Sequence, residues 1–483
     1  MIIYLGLLFG CLGVYWTYVK LSSYNNKLIP KIPKKFNINN FRVCFKELSK
    51  WLIYAGEYSN DVGGVSKFNY GPIVVYVVSN PEDASTVLTR CTSKSFVYDL
   101  IKPYVGSQLI ASDYPVWKRN RRLLDLAFKQ NILNSYVAMF NKRADALGVD
   151  MSKEINKEVD FTHLLSRYLL GTACYTTLGV NVNDQNVSID SYLKSVDKLI
   201  KIMLNRFVQP WLLLDFVFKF SELKKEQDVA LEIVQNFSEE VIRKKKTQFA
   251  QNNDHPGDID EGNVESLLDI LMKNRNEDEI SDRNMREIVD NVILAAYDSN
   301  VYMMIYILVC IGSYPDVQKK VYDEVISVTG QTDRDITHED LPKLVYLEAV
   351  VKEAIRLYPA GPIVGRVTTF DTQLKDYILP AGCQVIIHLG AINRNKEHWG
   401  QDADDFRPER WFDSMPTHPA AYSSFSPGRR SCIGKSYSIM LLKTMTSKII
   451  KKFYISSDDT KLDFEFGLFL KPIAGHHIKL ELR

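Results

Sequence analysis

The 483-residue sequence predicts a mainly α-helical fold with a small β part. Helical patterning dominates from about Val116 to Phe249, and a second, very long helical stretch runs from about Asp282 to Gly312. Strand-like composition is confined to short runs such as Ile73–Val78, which is made of β-branched residues and one tyrosine. Helices therefore form the body of the predicted fold, and the strands are a minor part.

The N-terminal segment predicts a membrane anchor. Ile2–Val19 is an uncharged apolar run of 18 residues, just long enough to span a bilayer. Lysines follow this run and none precedes it, so the positive-inside rule places the N-terminus in the lumen and the remainder in the cytosol. We expect an anchor over residues 1–20, a basic hinge with Pro30 and Pro33 over 21–35, and a single domain over 36–483. A cleaved signal peptide is the alternative, although the basic region that should precede its apolar core is missing.

The later elements are predicted from turn-forming and helix-breaking residues in the sequence. The Asn80-Pro81 turn ends the first strand and begins a helix, whereas Gly179 and Pro210 interrupt the long helical region. Polar residues 251–263 predict a surface loop. Beyond the long helix we expect helices from Pro315 to about Val328 and from about Pro342 to Tyr358, short strands between Gly361 and Gly390, a helix from about Cys432 to Phe453, and a terminal hairpin.

Charge and cysteine usage exclude several classes of protein. A net charge of +2 argues against a general nucleic-acid binder. The seven cysteines are scattered and form no CxxC pair, which indicates reduced thiols and excludes a disulfide framework. The sequence also has no zinc-type cluster of cysteine and histidine. One cysteine nevertheless stands in a setting suited to a metal.

That cysteine is Cys432, within the stretch Phe425-Ser-Pro-Gly-Arg-Arg-Ser-Cys-Ile-Gly434. Gly428 and Gly434 permit backbone conformations and close approaches that a side chain would block. Backbone N–H groups of the turn and of the following helix, together with the charge of Arg430, would favour the thiolate form. A buried structural cysteine in a glycine-rich loop is the simpler alternative.

The spacing F-x-x-G-x-R-x-C-x-G resembles that of the cytochrome P-450 superfamily, in which the cysteine is the proximal ligand of a haem iron. The resemblance implies the helical cytochrome P-450 fold around haem b, bound non-covalently apart from the bond between Cys432 and iron. The chain is most similar to the animal and insect microsomal clan that includes fatty-acid ω-hydroxylases. Many members of that clan attach haem covalently through a glutamate, and Ala295 stands at that position here.

The resemblance assigns a haem-supporting network to three charged residues. Glu353 and Arg356 are spaced i, i+3 on one predicted helix, so their side chains share a face and can pair. Arg410, in Phe406-Arg-Pro-Glu-Arg-Trp411, matches the third member of the family's buried Glu-Arg-Arg network. Taken alone, the first pair would be an ordinary surface ion pair.

Haem contacts are implied at several further positions. Trp117 and Arg121 match the family's W-x-x-x-R motif, and their i, i+4 spacing lets both donate to an anionic haem propionate. Arg430 and Arg366 are two further candidate donors, and Phe425 opens the cysteine motif. For each arginine, solvated charge is the alternative.

The predicted long helix carries Ala295-Ala-Tyr-Asp-Ser-Asn300, which resembles the family's oxygen-activating segment. Asp298 and Ser299 keep its acid–alcohol pair and are the candidate catalytic residues for proton delivery. Ala295 and Ala296 line the implied distal groove, and Ala296 replaces the usual glycine there. Asn300 replaces a second hydroxyl residue. We expect looser proton delivery than in relatives with threonine, since Ser299 lacks the methyl group that restricts the rotamer.

The resemblance implies a monooxygenase of the endoplasmic reticulum membrane that inserts one oxygen atom from O2 into a lipophilic small molecule. Its electrons would come from NADPH through NADPH–cytochrome P-450 reductase, with cytochrome b5 as a further candidate donor. Basic residues that could form the docking patch are Lys118, Arg119, Arg122, Arg429 and Lys435. A reductase-independent haem-thiolate isomerase or dehydratase, and a catalytically poor haem protein that binds a lipophilic ligand, are the alternatives. We expect the apolar stretch from Phe207 to Phe220 to line the substrate pocket, and simple core packing is the alternative for any single residue in it.

Overall fold

A computed structural model describes residues 29–33, 45–71, 73–181, 188–252, 264–274, 281–413, 416 and 418–483. The predicted anchor over residues 1–20 lies outside these ranges, as does most of the predicted hinge and loop residues 253–263. The described part of the hinge is attached to a strand. Lys67 donates its backbone N–H to Pro30 O at 2.9 Å, and Ile32 donates its own to Lys67 O at 2.9 Å.

The described helices of four or more residues are numbered in chain order. They are α1 Phe45–Asp61, α2 Pro81–Arg90, α3 Lys102–Val105, α4 Tyr114–Ala127, α5 Gln130–Ser135, α6 Val137–Met151, α7 Thr162–Leu178, α8 Ile189–Val208, α9 Asp215–Lys219, α10 Glu222–Asn252, α11 Leu267–Asn274, α12 Asp282–Ser313, α13 Pro315–Thr329, α14 Val345–Leu357, α15 Leu389–Ile392, α16 Lys396–Trp399, α17 Arg410–Asp413 and α18 Lys435–Lys452. Short 3₁₀ turns connect several of them, including Pro210–Leu213 and Leu341–Lys343.

The strands are short and are also numbered in chain order. They are β1 Val65–Tyr70, β2 Ile73–Val78, β3 Ser93–Lys94, β4 Glu158–Val159, β5 Val364–Val367, β6 Thr372–Gln373, β7 Ile378–Leu379, β8 Gln384–Ile387, β9 Phe453–Ser456, β10 Asp463–Phe466, β11 Leu470–Ala474 and β12 Ile478–Leu482. The predicted class, mainly α with a small β part, is confirmed.

The described residues divide into two compact units. The first comprises those within Met1–Val97, Gly361–Asp404 and Pro416–Ser431. Its main sheet has the order β1-β2-β8-β5-β3, in which only β2 and β8 are parallel. The apolar faces of β2 and β8 pack with α2 in one core that includes Val78, Val87 and Ile387. Asn80 caps α2 by accepting the backbone N–H of Glu82, and this cap ends β2 where the sequence predicts.

The second unit comprises the described residues within Tyr98–Ala360, Asp405–Met415 and Cys432–Arg483. It holds most of the long helices and two small antiparallel sheets, β4-β12-β9 and β10-β11. Helix α12 is its buried centre and packs against α7, α10 and α14. Among the described residues, α12 is the helix that is long and apolar enough to cross a membrane, but it is mostly enclosed by protein, as a core helix is.

Candidate active site

Cys432 lies in the turn that precedes α18. The helix begins at Lys435, three residues later than predicted, because Cys432–Gly434 form the turn themselves. The backbone conformation at position 428, in the first unit, requires glycine. Its φ is +88°, and an added Cβ would lie 2.7 Å from Leu88 O. The cysteine motif therefore depends on glycine for its conformation.

The sulfur of Cys432 receives hydrogen bonds from backbone groups. The N–H groups of Gly434 and Lys435 both point at it, as predicted from the start of the helix. Burial raises the pKa of the Cys432 thiol, whereas these N–H groups and the positive charges of Arg121 and Lys435 act in the opposite direction. The charges that act on the sulfur within this unit are thus Arg121 and Lys435.

Cys432 shares a cavity with one face of α12. The lining is largely apolar and includes Val292, Ala295, Ala296 and Ser299 on α12 and Tyr437 on α18. Cys432 is accessible to solvent through this cavity, although the protein around its sulfur is dense enough to raise the pKa of the thiol. The Cys432 thiol and the Ser299 side chain of α12 therefore line the same apolar space.

The two members of the acid–alcohol pair point in different directions. Ser299 lines the cavity beside Ala295 and Ala296, whereas Asp298 is buried and does not line it. Asp298 directly precedes Ser299 and is turned about 100° from it around the helix axis, so the two side chains leave α12 in different directions. Ser299 Oγ donates to Ala295 O at 2.6 Å, and Asn300 Nδ2 donates to Ala296 O at 2.6 Å. Asn300 is fully buried, so the replacement of the family's second hydroxyl residue by asparagine does not alter the cavity wall.

Asp298 lies among polar side chains and does not face the cavity. Burial raises its pKa to about 6, while the charge of Lys471 and a hydrogen bond from the Tyr302 hydroxyl lower it, and the charge of Asp197 adds to the rise. Asp298 Oδ2 is buried and accepts no hydrogen bond from protein. The pKa of this carboxyl group is therefore higher than that of an exposed aspartate.

The structure brings Glu353, Arg356 and Arg410 together in the second unit, and all three are buried. Glu353 Oε2 lies 2.8 Å from Arg356 Nε, and Glu353 Oε1 lies 2.7 Å from Arg410 Nε. Trp411 Nε1 also donates to Glu353, at 3.1 Å. Both arginines donate to the carbonyl oxygen of Asp405, at 3.2 and 3.3 Å. The network fixes the segment 405–411 against α14.

Trp117 and Arg121 both lie on α4. The Trp117 ring stacks on Tyr114 at a centroid distance of 5.6 Å. Arg121 Nε lies 2.9 Å from Asp125 Oδ1, one turn along the helix. The Arg121 guanidinium therefore already pairs with a carboxylate. Any further anion would share this guanidinium with Asp125.

Arg366, Arg430 and Phe425 belong to the first unit. Arg366, on β5, and Arg430 are both buried, and Phe425 packs edge-on against Tyr422 at 6.5 Å. Lys94, which the sequence analysis missed, lies opposite Arg366 in the β3–β5 ladder. Burial and the charges of Arg366 and Arg430 lower the pKa of Lys94. The three cations thus form one electrostatic cluster.

The expected substrate stretch is only partly correct. Phe218 is buried, but Phe216 and Phe220 are 67% and 84% exposed, so these two rings do not line a pocket. The correction follows from the local fold, since a 3₁₀ turn at Pro210 and the short helix α9 turn these side chains outward. Lys471, which no sequence motif indicated, lies on β11, and its positive charge acts on Asp298.

The donor set fits a haem held by a single thiolate. A cysteine sulfur that receives backbone N–H groups and faces an apolar cavity matches such a site. Within the described ranges, no group of three or more His, Cys, Asp or Glu side chains could hold a metal ion.

Comparison with known proteins agrees with this site. The cytochrome P450 family profile matches residues 39–480. Cytochrome P450 4V2 of Homo sapiens is 31% identical over 427 residues, which cover 86% of this chain and 81% of that protein. Probable cytochrome P450 4ac1 of Drosophila melanogaster is 30% identical over 426 residues, which cover 86% of this chain and 82% of that protein. The chain therefore belongs to the cytochrome P450 family and is a haem-dependent monooxygenase, an oxidoreductase.

Proposed function

We propose that this monooxygenase is anchored in the endoplasmic reticulum membrane and hydroxylates or epoxidises a lipophilic small molecule. Its electrons come from NADPH through NADPH–cytochrome P-450 reductase, with cytochrome b5 as a second donor. The observation that carries the proposal is the shared cavity of Cys432 and Ser299. The apolar run Ile2–Val19 supports the anchor, with a lumenal N-terminus and a cytosolic catalytic domain.

Cys432 is the proposed iron ligand, and haem b is the proposed cofactor. Haem held by a thiolate supplies the activation of O2, because the sulfur donates electron density that favours cleavage of the O–O bond. The N–H groups of Gly434 and Lys435 would hold the sulfur in its charged form. Arg121, Arg366 and Arg430, with Trp117, are the proposed donors to the haem carboxylates.

The α12 face opposite Cys432 would position the substrate. Val292, Ala295 and Ala296 give this wall an apolar surface, which suits a lipophilic ligand better than a polar one. Ser299 Oγ is the hydroxyl on this wall, and turning away from Ala295 O would direct its proton into the cavity. Asp298 would hold the proton supply on the other side of the helix.

The variant Cys432→Ser tests the ligand assignment. We expect it to lose the ferrous–carbon monoxide absorption band typical of thiolate ligation, because serine offers no sulfur. Cys383→Ser, which removes a partly buried thiol in the first unit, is the matched control and should keep the band. Retention of the band in Cys432→Ser would overturn the assignment. Oxygen consumption that depends on NADPH and reductase, and that is coupled to product, tests the rest of the proposal.

A further inference from the structure

A second large cavity lies in the second unit and shares no lining residue with the cavity that holds Cys432. It has a volume of about 640 Å³ and is partly open to solvent. Segment 102–107, the end of α8, the start of α9, one face of α10 and the first turns of α12 enclose it. Its volume is that of a small-molecule site, but its walls are mostly charged and polar. We call it the polar cavity.

Two buried arginines supply positive charge to the wall of the polar cavity. The side chains of Arg206, on α8, and Arg286, on α12, are only 6% and 9% exposed. Arg206 Nη2 lies 2.8 Å from Asp215 Oδ1, and Arg286 Nη1 lies 3.0 Å from Glu239 Oε1. The side chains of Asp215 and Glu239 are 95% and 59% exposed, so both carboxylates compete with water and are weakly held. A carboxylate ligand can therefore displace them at little cost.

Both guanidinium groups have N–H donors left over after these pairs. Arg206 Nε donates to Leu212 O at 3.0 Å. Across the described ranges, no protein group accepts a hydrogen bond from Arg206 Nη1 or from Arg286 Nη2. A planar guanidinium with N–H groups to spare binds a carboxylate through two parallel hydrogen bonds. The donors of the polar cavity thus suit a carboxylate.

The charge of Arg286 is incompletely compensated inside the protein. Its Nε is buried and donates to no group in the described part of the chain. Asp290 Oδ2 lies 3.9 Å from this nitrogen, beyond hydrogen-bond distance, and is itself buried without a partner there. Burial raises the pKa of Asp290 to about 7, so this group carries only part of a negative charge at neutral pH. An anion that enters the polar cavity therefore stabilises a buried cation.

The other charged groups of the polar cavity are already engaged. Glu287 Oε2 accepts the backbone N–H of Ser107 at 2.9 Å, and its Oε1 lies 3.2 Å from Arg283 Nε. At the rim, Lys102 Nζ lies 2.6 Å from Asp99 Oδ1, so these two charges cancel. With the two exposed carboxylates turned into solvent, two buried guanidinium groups face the single buried carboxylate of Glu287. One ligand carboxylate makes up the difference.

We propose that the polar cavity is a second ligand site, in which Arg206 and Arg286 bind the carboxylate group of an organic anion. The ligand carboxylate takes the places of Asp215 and Glu239, which turn into solvent. The site goes beyond the proposed oxidation, because neither arginine belongs to the wall of the Cys432 cavity.

The carboxylate has two possible sources. Glu287 lines the polar cavity, and Asn291, one turn further along the same face of α12, lines the Cys432 cavity. The two cavities therefore adjoin along α12. The carboxylate belongs either to a separate small anion or to the end of a lipophilic molecule that extends towards Cys432.

Two substitutions should change the affinity for benzoate in opposite directions. Glu239→Gln removes the competing carboxylate and leaves Arg286 in place, so benzoate should bind about fivefold more tightly. Arg286→Gln removes the charged donor, so binding should weaken about tenfold or more. Arg286→Lys keeps the charge without the planar fork and should fall between these variants. Glu240→Gln, at the next position of α10, is the matched control, because Glu240 pairs with Lys244 and does not line the cavity.

Affinity is measured by calorimetric titration of the haem-loaded full chain with benzoate and with benzamide, its neutral analogue. Equal haem content shows that each variant is folded. The expected order of benzoate affinity is Glu239→Gln, then the parent and Glu240→Gln, then Arg286→Gln, with benzamide affinity the same in all four. Equal affinity for benzoate and benzamide in the parent, or a benzoate affinity that Glu239→Gln lowers, would overturn the carboxylate site.

A second pair of probes separates the two sources. Decanoate and decan-1-ol are titrated while the haem absorption is recorded, because a ligand that reaches the haem changes its spectrum. Benzoate binding without a spectral change assigns the site to a separate anion. A spectral change with decanoate that Glu239→Gln strengthens and Arg286→Gln weakens assigns it to the end of a lipophilic ligand. If neither carboxylate depends on these residues, the site does not exist. Failure of the proposed function is distinct, since the parent would then form no reductase-dependent product, whatever its affinity for carboxylates.

Discussion

Arg410 Nε lies 2.7 Å from Glu353 Oε1, although the two residues are 57 positions apart in the sequence. Arg356 holds the same carboxylate from one turn away, so two buried cations depend on one buried anion. Breaking a buried network of this kind by removing one partner costs more than the network contributes intact, because the remaining charges stay buried.

The variant Glu353→Gln should therefore be strongly destabilised. We expect the free energy of unfolding to fall by about 3–5 kcal/mol, since Arg356 and Arg410 lose their counter-charge in a dry site. Urea unfolding of the purified protein measures this loss. Glu222→Gln, which breaks an exposed i, i+3 pair with Lys225, is the control and should change stability by less than about 1 kcal/mol. Equal losses in the two variants would contradict a structural role for the buried network.

Ser299→Thr should reduce unproductive peroxide release. Threonine keeps a hydroxyl on the cavity wall, and its methyl group restricts the rotamers that Ser299 can adopt. The measurement is peroxide formed per NADPH consumed, with Asn300→Thr as the control, because Asn300 is buried away from the cavity. No change in Ser299→Thr would contradict this explanation of proton delivery.

The free energy of unfolding should decrease as the pH is lowered, because of His388 in the first unit. His388 Nδ1 accepts the backbone N–H of Ala391 at 2.9 Å, and Nε2 lies 3.0 Å from Leu52 O, so the ring is neutral in the fold. Burial lowers its pKa to about 4 from an ordinary value of 6.5. His388 binds a proton more tightly in the unfolded chain than in the fold. The contribution of the neutral ring to the free energy of unfolding is therefore full above pH 6.5 and is lost as the pH falls towards 4.

The size of the His388 contribution is about 3 kcal/mol for a pKa difference of this magnitude. Urea unfolding between pH 4 and 7 should show a shallower pH dependence in His388→Asn than in the parent. His163→Asn, at an exposed position, should leave the parent slope unchanged. Identical slopes in His388→Asn and the parent would exclude His388 as the source.

Charge reversal on α4 should slow association with the reductase. Lys118 and Arg122 are both exposed and stand one turn apart on α4, so an acidic partner could contact both. Lys118→Glu with Arg122→Glu should lower the association rate at low salt, and the difference should shrink as salt screens the charges. Lys225→Glu, on α10, is the matched control. Insensitivity of the rate to the double reversal would argue that these residues are a solvated face.

Much of the fold could be predicted because its signals are local. The run Ile73–Val78 gives β2 its observed bounds, the Asn80-Pro81 turn gives α2 its observed start, and the apolar stretch from Asp282 gives α12. The last helix was predicted less well. Phe453 reads as the end of a helix in the sequence, but it begins β9, whose pairing with β12 supplies hydrogen bonds that no local pattern reveals.

The candidate site was predicted where a motif carries it. Cys432 is recognised by the spacing of its motif, whereas Glu353 needed the resemblance to a known family as well. The different directions of Asp298 and Ser299 were not predicted, although the pitch of the helix accounts for them. Lys471 could not be predicted, because the residue whose charge acts on Asp298 lies on a strand far along the chain. Lys94 was missed for a similar reason, since the register of two-residue strands cannot be read from sequence.

The different orientations of Asp298 and Ser299 separate two properties that an engineer would wish to vary one at a time. Substitutions at Val292, Ala295 and Ala296 alter the shape presented to a substrate without touching the charges around Asp298. Substitutions at Asp197 and Lys471 alter those charges without reshaping the wall. The choice of substrate and the charges around Asp298 are therefore expected to evolve through independent sets of positions.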